Sequence, residues 1–209
     1  MKRNGYRLWL AAAGAAVLGG GVLIGVGFLQ GVPSQPAQTA VAERVAAASQ
    51  TDAIVDAPAA APHTVSIPAL GFSAEVLPLA RNGAAVLDPP GATSAYWLSD
   101  YGLPGVGSDD TVYLIGHSSD AGAAVFDAIV DPVTQSTPLL AGDEIVLETE
   151  TGSVLYEVVT AERQARTSLA ELDRVWSSAP GRLVIITCLF DAQRNAATDN
   201  MIVYARQRG

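Results

Sequence analysis

From Thr111 to Ala205 the apolar residues of this chain come in short runs rich in Val, Ile, Leu and Tyr, and the spacing of those runs limits the fold more than any other feature. "TVYLIG" (Thr111 to Gly116) has the β-branched and aromatic content of a buried strand. "EIVLETETGSVLYEVVTA" reads as a hairpin, with one strand over 144–149, a turn at Thr151-Gly152 and a second strand over 153–160. "RLVIITC" and "NMIVYA" add two more strands, and "HTVSIPALGFSAEVLPLA" opens the region with alternating runs broken by Pro68, Gly71 and Pro78. Helical periodicity is confined to "AAVFDAIV" and "SLAELDRVW". Many short strands with few helices predict an all-β sandwich or closed barrel rather than a parallel α/β sheet. There is no internal repeat.

The segment upstream has a different composition. Residues 8–29, "LWLAAAGAAVLGGGVLIGVGFL", carry no charge and are long enough to cross a bilayer as a helix. Lys2, Arg3 and Arg7 precede the run and the first acidic residue is Glu43, which orients residues 1–7 to the cytoplasm and the rest outward. The first small-x-small site, Ala40-Val41-Ala42, lies too far beyond the run for ordinary signal-peptide processing, so an uncleaved anchor is expected. Residues 30–62, rich in Ala, Pro, Gln and Ser, hold too few large side chains to offset chain entropy and predict a flexible tether. Residues 63–209 are then one domain, ample for a single core. That domain holds 8 Arg and no Lys against 18 Asp plus Glu, a net charge of −10. No basic patch is available to meet phosphates, so a nucleic-acid partner is not expected. The acidity accounts for solubility outside the cell.

Cys188 is the single cysteine, at the end of "RLVIITC". A lone cysteine reads as a small buried hydrophobe as readily as a nucleophile. One Cys and two His cannot furnish a four-ligand zinc site, so no metal and no cofactor is expected. His63 follows Pro62 at the tether junction and reads as solvated. His117 closes the strand "TVYLIGH" before polar Ser118, Ser119 and Asp120, where it reads either as a rim residue of a site or as an ordinary surface histidine. Two scarce residues at equivalent strand ends point to a thiol–imidazole pair. Arg194, in "LFDAQRNAATDN" between the last two strands, can fold back over the thiol.

"VYLIGH" followed by "AVF", then "AGDEIVLETETGSVLYEV", "LVIITC" and "DNMIVYA", together resemble the sortases, the membrane-anchored cysteine transpeptidases of Gram-positive bacteria. The likeness runs from Val65 to Ala205 and includes "VSIPALGFSAEV" and Pro104-Gly105; the ending is most similar to actinobacterial class F sortases. The resemblance implies a closed β-barrel of about eight strands with short helices. It also implies Cys188 as nucleophile and His117 as its acid–base partner. Many sortases place an arginine at the start of the final strand, where this chain has Asn200. Arg194 is the only arginine between Cys188 and the end of that strand, which makes it the candidate oxyanion donor. Thr187, beside the thiol, is a candidate for positioning substrate. The implied partners are LPxTG-like sorting-signal proteins and a lipid-linked peptidoglycan precursor amine, met at the outer face of the cell membrane. An inactive or purely hydrolytic module on the same fold is the competing expectation.

Overall fold

The computed structural model describes residues 57–209 apart from positions 85, 120, 192, 194 and 195. The expected anchor over 8–29 and most of the expected tether lie outside the described residues. Among those described, eight strands close into a barrel: β1 (Pro62–Ile67), β2 (Phe72–Leu79), β3 (Ala95–Leu98), β4 (Val112–Gly116), β5 (Glu144–Thr149), β6 (Gly152–Ala165), β7 (Arg182–Phe190) and β8 (Ala197–Gln207). Their order around the wall is β1-β2-β3-β4-β7-β8-β6-β5. Neighbours are antiparallel except β2 with β3 and β4 with β7, which run parallel. Closure leaves no free sheet edge.

Period-2 alternation divides each central strand between two apolar layers. On β4, Val112 and Leu114 point into the barrel, where Leu183 and Ile185 of β7 and Val203 and Ala205 of β8 join them. Phe126 and Ile129, from the β4–β5 connection, plug the same core and are fully buried. The outward positions Tyr113, Ile115, Val184, Ile186 and Ile202 form a second cluster. It is covered by Val175 together with the half-buried Leu169, Leu172 and Trp176. Burying one such Ile or Leu is worth about 1.5–3 kcal/mol, so the outer layer fixes the segment lying over it.

Three local expectations meet a different outcome. "AAVFDAIV" forms only a 3-10 turn, Asp127–Ile129, because the Asp127 carboxylate accepts from the backbone N–H groups of Ser119 and Ala124 and from the Ser119 hydroxyl, holding the chain in a compact loop. "SLAELDRVW" splits into a 3-10 helix, Arg166–Glu171, and one α-helical turn, Asp173–Trp176, with extended Leu172 between them. Its apolar spacing comes from Leu169, Leu172, Val175 and Trp176 all facing the outer cluster, which a broken helix satisfies as well as a continuous one. The folded chain also starts earlier than residue 63. Ala57 is buried, and its carbonyl accepts from Val106 N–H at 2.8 Å while Ala59 N–H donates back to Val106 at 2.9 Å. Gly105, at φ 117°, allows this approach, since a Cβ there would stand 2.7 Å from the Ala57 oxygen.

Candidate active site

β4 and β7 pair in parallel with Ile115 opposite Ile186 and Gly116 opposite Thr187. His117 and Cys188 are the next residues after Gly116 and Thr187. Both continue the outward-facing positions of their strands, so imidazole and thiol share one face on adjacent strands, which lie about 4.8 Å apart. On the far side of β7, Asn200 of β8 is directly opposite Cys188, and Gln164 of β6 is opposite Asn200. The same face therefore presents His117, Cys188 and Asn200 in a row across three consecutive strands.

These residues line a cleft of about 460 Å³. Its floor is β4, β7 and β8; one wall is the β2–β3 connection (Val86 to Pro89) and the other is Arg166, Thr167 and Leu169. The strand ends are held by hydrogen bonds across the β4–β7 seam. The Ser118 hydroxyl donates to the Cys188 carbonyl. Thr187 donates from its hydroxyl to the Gly116 carbonyl at 2.8 Å. Thr187 is buried, and alternation turns it toward the barrel interior. Its hydroxyl ties β4 to β7, and the residue also lines the cleft beside Cys188. The His117 Nε2 donates to the Pro89 carbonyl at 2.8 Å, which makes Nδ1 the acceptor nitrogen of the neutral ring. His63 is exposed, and among the described residues its ring bonds its neighbour, Thr64. Arg194 lies outside the described residues.

Solved structures share this architecture. Sortase A from Corynebacterium diphtheriae matches with a TM-score of 0.52 at 20% identity, over 74% of this chain and 62% of that one. The chain thus spans less than two thirds of that protein. Sortase A of Listeria monocytogenes matches with a TM-score of 0.53 at 15% identity, over 72% of this chain and 88% of that one. The barrel is a sortase fold. No protein-family model matches the sequence, and no curated protein matches it.

Within this sortase-fold barrel the cleft sets the charge state of the thiol. Cys188 is partly buried, and burial pushes its pKa above the ordinary thiol value. The Arg166 guanidinium pulls it back down and the Asp88 carboxylate pushes it further up. The resting group is therefore a thiol, and a proton acceptor beside it is needed before it can attack. Arg166 is the residue that the sequence reading missed. It enters the cleft from the end of β6, and only the β6–β8 register brings it near Cys188.

Proposed function

We propose that this chain is a membrane-anchored cysteine transpeptidase that cleaves an LPxTG-like sorting signal and transfers the acyl group to a cell-wall precursor amine. The observation that supports the reading is that His117, the residue after β4, and Cys188 of the parallel strand β7 line one open cleft in a sortase-fold barrel. The ending "DNMIVYA", similar to actinobacterial class F sortases, narrows the expected family further.

In the proposed reaction the Cys188 proton moves to His117 and the thiolate sulfur attacks the scissile carbonyl carbon. The carbonyl oxygen becomes an oxyanion, for which Arg194 is the proposed donor; such a donor is worth on the order of 3 kcal/mol. Collapse breaks the carbon–nitrogen bond, and His117 returns the proton to the departing amine. The acyl group is then a thioester on Cys188. An incoming amine attacks that thioester, loses its proton to His117 and displaces the thiolate. An open cleft admits both the first peptide and the second amine in turn, and tethering at the membrane raises the local concentration of each.

The test is to incubate the full chain with an LPxTG-like peptide, with and without an amine acceptor. The proposal expects a transfer product that depends on acceptor. Hydrolysis alone in the presence of acceptor would favour a hydrolytic module, and no turnover would favour a binding module.

A further inference from the structure

Residues alternate sides along β6, so Glu162 and Gln164, opposite Ile202 and Asn200 of β8, lie on the outward face that carries Cys188. Arg166 is the next residue in that series, at the start of the 3-10 helix that follows β6. Its Nη1 donates to the Ala197 carbonyl at 3.1 Å. Ala197 is itself paired with Phe190 of β7, and both line the cleft. That bond holds the guanidinium at the cleft wall rather than free in solvent. Among the described residues, Arg166 is the arginine that lines the cleft. Arg163, close by in sequence, is tied to Asp199 at 2.8 Å instead.

We propose that Arg166 is a positioning residue that stabilises the thiolate of Cys188 electrostatically from across the cleft. Among the described residues, the charged and titratable groups facing the thiol are His117 from the end of β4, Asp88 from the β2–β3 connection and Arg166 from the end of β6; β8 contributes the neutral Asn200. Asp88 opposes a thiolate and Arg166 favours it, so the guanidinium offsets the carboxylate on the opposite wall. Its head is exposed, which makes the effect moderate and sensitive to salt. The role rests on the nucleophile assigned above and is separate from the oxyanion role proposed for Arg194.

Cys188 is the only cysteine in the chain, so alkylation of the full chain by iodoacetamide reports on that thiol alone. The measurement is the alkylation rate against pH for wild type, Arg166→Ala, Arg166→Lys and Arg163→Ala, each checked for an unchanged far-ultraviolet spectrum. Losing a nearby positive charge disfavours the thiolate and moves the midpoint upward. Arg166→Ala is expected to shift it by about half a pH unit, roughly a threefold slower alkylation at pH 7. Arg166→Lys, which keeps the charge, should recover most of the rate at low salt, and Arg163→Ala should match wild type. An Arg166→Ala profile that overlays wild type would overturn the proposal, as would an equal shift in Arg163→Ala. Alkylation and transfer separate the two ideas. Transfer without a midpoint shift removes this role and leaves the transpeptidase; a shift without transfer removes the transpeptidase and leaves this role.

Discussion

Cys188, His117 and the arginines are expected to respond differently to substitution, because the proposal gives each a different part of the chemistry. Cys188→Ala leaves no other thiol in the chain and is expected to abolish transfer without loss of fold. His117→Ala removes the proton carrier and should lower kcat/KM by about two to four orders of magnitude, whereas exposed His63→Ala should be silent in the same assay. Arg194→Ala is expected to cost about 10²–10³ in kcat, the loss that follows removal of an oxyanion donor. Near-wild-type transfer in that variant would move the role to Asn200, which lies directly opposite Cys188. The strand that runs into His117 was readable from "TVYLIGH", because a β-branched run ending in a polar residue marks a rim, whereas β7 runs two residues past Cys188, to Phe190, where "RLVIITC" suggested its end. Arg166 was not readable. Its closeness to the thiol comes from a β6–β8 pairing between residues far apart in sequence, and nothing in "QARTSLAE" signals it.

Elements of the barrel owe their positions to a few close contacts. Gly116 ends β4 immediately before His117, and a Cβ there would meet the Phe126 ring and a Val125 methyl at 2.7 Å. Both neighbours are buried, so Gly116→Ala has no room to relax and should cost about 1–3 kcal/mol. The same displacement should misplace the imidazole, so transfer falls along with the melting temperature; a fully active, fully stable variant would contradict the packing described. Tyr156 of β6 presents the opposite case, a hydroxyl buried in the core with no hydrogen-bond partner among the described residues. Tyr156→Phe removes a desolvated polar group and should leave stability equal or higher by thermal unfolding. Arg163 and Asp199 tie β6 to β8, and the Arg163 hydrogen bond holds the Asp199 carboxyl below the ordinary carboxylate value. A depressed carboxylate contributes stability above its unfolded value near pH 4 and loses it as pH falls through the folded value. Asp199→Asn should therefore lower stability at pH 7 by no more than about 1 kcal/mol, given the exposed arginine, with the gap closing in acid. The 144–149 strand was legible to the residue because a Gly-containing turn bounds it. The two parallel pairings were not, since apolar periodicity shows which face is buried but not which strand lies alongside.

The molecule as a whole combines a closed barrel with an exposed cleft on its outer apolar layer. Alternation in the sequence left a sandwich or a closed barrel open, and closure with about eight strands, implied by the resemblance, is what the strand order shows. The start of the folded unit is not visible in the sequence, because "APAAAP" carries no periodic pattern; it is held by main-chain bonds from Ala57, Ala59 and Ala60 to the Pro104–Val106 segment, by the Thr151 hydroxyl on the Pro58 carbonyl and by burial of Ala57. Limited proteolysis should accordingly leave a core whose N-terminus lies at or before Ala57. A stable product beginning at His63 would show those bonds to be dispensable. The central claim is that Cys188 carries the acyl group between two substrates, and intact-mass spectrometry of the full chain tests it directly. Mixed with an LPxTG-like peptide, the wild-type chain should gain the mass of the acyl fragment, lose it on addition of an amine acceptor, and show neither change as Cys188→Ala. A wild-type chain that gains no mass while the peptide is cleaved, or a Cys188→Ala chain that gains the same adduct, would contradict it.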